Sequence, residues 1–254
     1  MTRGRLYLVG AGPGDLAHLT PAARAAFAGS EVVVGYRRYL DLLGSLLDGK
    51  EAVSSELTEE VARAGRAVEM ARRGRTVALV SSGDAGVYGM AGPALELLRE
   101  AGWRPGDAPD VEVVPGITAA GSAAALLGAP LMHDWACVSL SNLLTPWPVI
   151  LRRLEAVAAA DFVLCLYNPR SLRRDWQLGA ARDVLLRHRA PRTPVGLVTD
   201  AFRAGQRVRT TTLADLDPGE VDMLTTAIVG NSATVDCGGV LVTPRGYPVG
   251  EVSP

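Results

Sequence analysis

The sequence has almost no lysine. Lys50 is the only one in 254 residues, so nearly all of the 26 cations are arginines. A P-loop or a Schiff base needs a lysine amine, and both are all but excluded. Arginine presents a planar fork of N–H donors, which suits a bidentate grip on carboxylates. Cysteine is scarce as well. Cys137, Cys165 and Cys237 stand far apart, two of them inside apolar, strand-like runs. They read as small buried hydrophobes, and no disulfide framework, zinc site or iron–sulfur cluster is expected.

Long hydrophobic runs are missing. None approaches the roughly 18 residues that span a bilayer, and the chain reaches a strand by Leu6 without the ordered regions of a secretion signal. A soluble, cytoplasmic protein is expected. The formal net charge is -1, and a general nucleic-acid binder, whose phosphate contacts demand a basic surface, is disfavoured. What the chain does have is 48% hydrophobic against 21% charged residues. That is enough for one large α/β domain or two smaller ones with real cores.

Apolar β-branched runs alternate with Ala-, Leu- and Arg-rich stretches of helical period, the pattern of α/β units. Strands are predicted at Leu6–Val9, Glu31–Val34, Thr76–Val80, Val111–Val114, Ala136–Leu140, Phe162–Leu166, Val195–Val198, Val208–Thr212 and Ala227–Val229. Helices are predicted at Pro21–Ala28, about Arg38–Leu47, Glu59–Arg73, Gly92–Ala101, Ala119–Leu127, Val149–Ala159 and Asp175–Arg189. The second half has more strands per helix. A strand ends on the turn dipeptide of "PGIT", Pro115–Thr118, which marks the expected hinge between an N-terminal domain over 1–117 and a C-terminal one over 118–254.

The first strand runs into "GAGPGD", Gly10–Asp15. A dinucleotide loop wants G-x-G-x-x-G with the last glycine packing the start of a helix. Here the third glycine comes one residue early, at Gly14, and Thr20-Pro21 delays the helix start. The second strand ends in Gly35 where an acid would hold a ribose. Arg37 and Arg38 can be rationalised as a 2'-phosphate clamp, which keeps an NADP-dependent reductase as an alternative. Three further strand ends carry small residues and glycine: "VALVSSGDAGVYGMAG" (Val77–Gly92), "VVPGITAAGS" (Val113–Ser122) and "FVLCLYNPRS" (Phe162–Ser171). Open α/β sheets place ligands at the carboxyl ends of strands, so four such ends make a site.

Five stretches in order, "VGAGPGD", "SSGDAGVYG", "VVPGITA", "LYNPRS" and "AIVGNS" (Ala227–Ser232), resemble the tetrapyrrole methylase family, the S-adenosylmethionine enzymes of sirohaem and cobalamin synthesis. Within it, "GDAGVYGMAGPALEL", "SLSNLLTPW" and "LYNPRSLRRDWQL" most resemble the branch that methylates C17 of precorrin-3B and contracts its ring. The resemblance implies two α/β domains of the tetrapyrrole methylase type with the active site in the cleft between them. It also implies a homodimer, a small-molecule tetrapyrrole substrate, and no nucleic-acid or membrane partner. Carried over by position, the S-adenosylmethionine contacts fall at Pro13, Ser82, Gly83, Asp84, Val87, Thr118, Ala119, Asn168 and Ala201. Asn168 stands where some relatives have methionine, and Ala201 where better-known relatives have glycine.

Ring contraction, as the resemblance implies, needs a proton removed from a hydroxyl on the macrocycle, and Asp84, His133, Asp134, Ser139 and Tyr167 are the candidates. All five are expected at or just after strand ends. His133 has an alternative role as a turn histidine bonded to Asp134. Tyr88 and Trp147 are candidates for core packing or for stacking on the macrocycle. Arg38 and Arg170 are the leading candidates for gripping the substrate's carboxylates, followed by Arg37, Arg173 and Arg174. The same motifs would serve a cobalt-containing substrate. A non-catalytic tetrapyrrole carrier is a third class of reading.

Overall fold

In the computed structural model, which describes residues 3–56, 58–171 and 174–248, the chain divides into two compact units after Ala119. In the first unit, five strands form one wholly parallel sheet: β1 (Arg5–Gly10), β2 (Val32–Tyr36), β3 (Glu51–Ser55), β4 (Thr76–Ser81) and β5 (Asp110–Val114), in the order β3-β2-β4-β1-β5. The central strands are apolar on both faces because both faces are covered. Helices α3 (Glu60–Arg72) and α4 (Ala91–Glu100) join Leu6, Leu8, Val32, Val34, Val77 and Leu79 in one core layer. Helices α1 (Pro21–Gly29) and α2 (Arg37–Leu43) join Val9, Val33, Ala78 and Val80 in the other, with Phe27, Leu40 and Leu43 as the largest contributions.

Local signals fix the helix ends. Thr20 Oγ1 accepts from Ala23 N at 3.1 Å and Pro21 occupies the first turn, so α1 starts where its cap and proline place it. The predicted helix to Leu47 ends at Leu43. Gly44 takes φ +50 there, and the remainder is a single 3₁₀ turn. β3 has no counterpart among the predicted strands. It is an edge strand whose Glu51, Ala52 and Ser54 are exposed, so it carries no apolar period to detect.

The second unit begins with α5 (Ala119–Leu127) and the short β6 (Gly128–Ala129). Its main elements are β7 (Trp135–Ser139), α6 (Trp147–Ala159), β8 (Val163–Tyr167), α7 (Gln177–Leu186), β9 (Pro194–Thr199), β10 (Arg207–Thr212) and β11 (Thr225–Val229). The sheet order is β10-β9-β11-β8-β7. β7 and β8 are parallel, while β11 runs antiparallel to both β8 and β9, so β7, β8 and β9 point the same way. Their carboxyl ends share one edge. Helices α6 and α7 pack Ile150, Leu154, Leu178 and Leu185 onto Val138, Leu164, Leu166 and Leu197. On the opposite face Leu127 of α5 lies so close to Gly196 that a Cβ there would stand 2.4 Å from its Cδ1. The short β13 (Leu241–Val242) pairs with β6 on one side and with β12 (Val235–Asp236) on the other. No described helix is long and apolar enough to cross a membrane.

Phe27 is fully buried between α1 and the first sheet. Replacing it with alanine is expected to cost about 3–5 kcal/mol in urea denaturation, the usual cost of a large aromatic cavity. A loss below about 1 kcal/mol would mean that this layer is not the packed core described.

Candidate active site

Three loops leave the carboxyl ends of adjacent strands β4, β1 and β5, and they touch through their backbones. Gly12 N donates to Gly83 O at 3.0 Å, and Gly83 N returns a bond to Gly12 O at 2.7 Å. A Cβ on Gly10 would lie 2.7 Å from both Gly116 N and Gly83 O, and one on Gly116 would lie 2.2 Å from Gly83 O. Only hydrogen fits at these two positions. Asp84 completes the clasp. Its Oδ1 accepts from Gly86 N at 2.8 Å and its Oδ2 from Gly116 N at 3.0 Å, so one carboxylate shapes its own loop and fastens the next.

Of the predicted donor contacts, Pro13 is buried in the first loop, while Ser82, Gly83, Asp84 and Val87 belong to the second, Gly83 with φ +69. Thr118 and Ala119 follow β5, where Ala119 opens α5. Asp15 bonds Ala17 N at 2.8 Å and caps a 3₁₀ turn, so it is folded into the loop's own structure. Residues 10–16, 81–90 and 114–118 contain no lysine, arginine or histidine. A pyrophosphate would find a carboxylate and no cation here. A cationic group bearing an amino-acid head suits such a donor set better.

In the second unit, Ser139 and Tyr167 are registered partners at the ends of β7 and β8. Ser139 Oγ accepts from Asn168 Nδ2 at 3.0 Å, with Asn168 held at φ +51. Tyr167 is buried, and its Oη accepts from Ala120 N at 2.9 Å, which anchors the first turn of α5. Ala201 follows β9 at the same edge, between Asp200 and Phe202, both at positive φ. Arg174 donates to Ser141 Oγ and to Asn168 O, and burial holds its guanidinium below the ordinary arginine value. Cys137 and Cys165 are registered partners two steps below. The Cys165 thiol is pushed up, first by its hydrogen bond with Cys137 and then by burial.

Several predicted positions fall elsewhere. His133 and Asp134 were expected at a strand's end but precede β7, at its amino end. At about 3.3 Å per strand residue, that places them about 20 Å of chain from Ser139. His133 Nδ1 accepts from Asp134 N at 2.8 Å, the turn arrangement. Arg170 donates from Nη1 to Pro218 O and Gly219 O, which makes it a clasp on that turn. Arg37 pairs with Glu56 at 3.1 Å, while Arg38 is exposed. Arg173 lies outside the described residues. Tyr88 is 55% exposed, whereas Trp147 packs edge-on against Trp176 and onto the second unit's core. One residue at the first unit's carboxyl edge was not anticipated: Arg63, 3% exposed, on the inward stripe of α3 with Ala64, Ala67 and Ala71. An arginine in phase with buried alanines was the available signal.

Gly116→Ala is expected to lose about 1–3 kcal/mol in urea denaturation, because its Cβ has nowhere to go. Gly92→Ala in α4, where nothing lies within 4 Å, is expected to be neutral or stabilising. Equal effects of the two would contradict the backbone contact.

The model of the Tetrapyrrole (Corrin/Porphyrin) Methylases matches residues 5–217. A probable cobalt-factor III C(17)-methyltransferase of Salmonella typhimurium is 46% identical over 95% of this chain and 99% of that protein. A precorrin-3B C(17)-methyltransferase of Sinorhizobium sp is 40% identical over 96% and 97%. The cobalt-factor III methyltransferase of Priestia megaterium is 49% identical over 96% of this chain, which spans 45% of that longer protein; several other curated relatives are likewise matched over about half their length. Among solved structures, the methyltransferase CobJ superposes with a TM-score of 0.89 at 34% identity, over 96% of this chain and 100% of that one. A Thermus thermophilus uroporphyrin-III C-methyl transferase complexed with S-adenyl homocysteine gives 0.66 at 28%, over 89% and 97%. Matched across both of its units and in full-length relatives, the chain belongs to the tetrapyrrole methylase family.

Proposed function

We propose that the chain transfers a methyl group from S-adenosylmethionine to C17 of precorrin-3B and contracts the ring to precorrin-4, a step of cobalamin biosynthesis. The observation that supports this reading best is the set of cation-free, glycine-clasped loops after β1, β4 and β5, in a chain of this family. A second reading, cobalt-factor III as substrate, is favoured by the names of the 49% and 46% identical relatives. An NADP-dependent reductase is disfavoured by the late start of α1 and by the salt bridge that occupies Arg37.

S-adenosylmethionine supplies an already activated methyl group, so the protein's task is chiefly alignment. Pro13, Ser82, Gly83, Asp84, Val87, Thr118 and Ala119 are proposed to hold it in the first unit, with Asn168 and Ala201 the proposed contributions of the second. Asp84 has an organising role: with each oxygen already accepting a backbone N–H, its carboxylate fixes where the loop amides point. Ser139, bonded to Asn168, and Tyr167, which anchors α5, are the better placed proton-handling candidates. His133 is the weaker one at the opposite end of β7. Arg38 is proposed to meet a substrate carboxylate, and Arg170 to do so less readily because of its clasp. By resemblance, the working form is a cytoplasmic homodimer.

Calorimetric titration with S-adenosylhomocysteine is expected to give micromolar binding, with none for NADPH. Labelled S-adenosylmethionine should then methylate precorrin-3B or cobalt-factor III. Binding of NADPH alone, or tetrapyrrole binding with no methyl transfer to either substrate, would overturn the proposal.

A further inference from the structure

Arg63 is a buried cation with no counter-ion among the described residues. Its Nε donates to Ser55 Oγ at 2.6 Å, its Nη2 to Glu56 O at 2.7 Å, and its Nη1 reaches Met90 Sδ at 3.4 Å. A hydroxyl, a carbonyl and a thioether are all neutral. A guanidinium offers five N–H donors; among the described residues Arg63 makes two hydrogen bonds to oxygen. Neighbouring carboxylates are committed elsewhere: Glu56 to Arg37, Glu59 to Arg66 and to Glu56 N, and Glu60 to Thr58 N. Among the described residues, none forms an ion pair with Arg63. A buried charge in a stable fold is ordinarily paired, because desolvation without compensation is costly.

Its position says what could pair it. Ser55 ends β3 and is registered against Tyr36, which ends β2 and leads into Arg37 and Arg38. Met90 closes the Ser82–Gly89 loop and donates its N–H to Ser81 Oγ at 2.9 Å. Arg63 therefore lies at the carboxyl edge of the first sheet, beside Glu56, whose main-chain O accepts from Arg63 and whose carboxylate pairs with Arg37, the residue before Arg38. Its Nε and Nη1 contacts are buried, while the Nη2 contact, to the exposed Glu56, is only partly so.

We propose that Arg63, with Arg38 at the same corner of the sheet, receives a carboxylate of the tetrapyrrole substrate, the incoming acid supplying the missing counter-charge. This rests on the methyltransferase reading. A packing role alone would not require a charge, since a methionine or leucine fills the inward stripe of a helix equally well. A guanidinium already fixed by Ser55 and Glu56 O is pre-organised for the planar, bidentate contact that carboxylates make. Arg63 would then position the macrocycle and take no part in bond making.

The test uses uroporphyrin III, an octacarboxylate tetrapyrrole, titrated into the full chain by quenching of tryptophan fluorescence, with S-adenosylhomocysteine calorimetry as the control. R63M is expected to weaken porphyrin binding about tenfold or more, as for a lost charged hydrogen bond, and R63K by less. S-adenosylhomocysteine affinity should stay within about twofold. Porphyrin binding unchanged in folded R63M, or parallel loss of both ligands, overturns the proposal. Should R63M fail to fold, R63K decides: about threefold weaker porphyrin binding supports a bidentate contact, and unchanged binding overturns it. Wild-type protein that binds S-adenosylhomocysteine but no porphyrin refutes the carboxylate receptor alone. Wild-type protein that binds neither refutes the methyltransferase reading with it.

Discussion

The carboxyl edge of the first unit depends on a contact between backbones. Gly10 and Gly116 bring the loops after β1 and β5 closer to the Gly83 backbone than any side chain permits, and Asp84 ties two of the three loops through one carboxylate. An αL turn at Gly83 and the paired bonds with Gly12 then fix the direction of the loop amides and carbonyls. Catalysis by alignment requires that stiffness, because a donor held loosely gains little from proximity. The parallel sheet beneath, covered on both faces, supplies the rigid base.

Charge is distributed to match. The three loops carry acids and no bases, whereas arginines collect one strand further on, after β2 and β3. A cationic methyl donor and a polyanionic macrocycle would thus meet different corners of the same edge. The second unit adds a polar edge of its own, built from Ser139, Ser141, Asn168 and Arg174 at the ends of β7 and β8. The parallel run of β7, β8 and β9 brings those residues and Ala201 to one side, although β11 lies antiparallel among them.

Much of this was legible in the sequence, for definable reasons. The seven described α-helices carry a period, a cap or a proline that marks them, and the apolar runs of β1, β2, β4 and β8 are long because both of their faces are buried. β3 escaped because an exposed edge strand has no such pattern, and α2 was drawn too long because Gly44 looks like any helical glycine until its φ is known. The small-residue loops were recognisable as ligand-ready. What they touch was not: that Asp84 grips Gly116, 32 residues away, or that Tyr167 anchors α5 across 47 residues, is decided by sheet order. His133 was misplaced for a related reason, since a polar pair beside a strand does not reveal which end of the strand it flanks.

A crystal structure of the full chain with S-adenosylhomocysteine tests the central claim most directly. The account predicts the ligand against the loops at 10–15, 82–87 and 116–119, with the Asp84 bonds to Gly86 and Gly116 intact. A ligand bound away from these loops, or loops that separate to admit it, would contradict the claim that the glycine clasp builds the donor site.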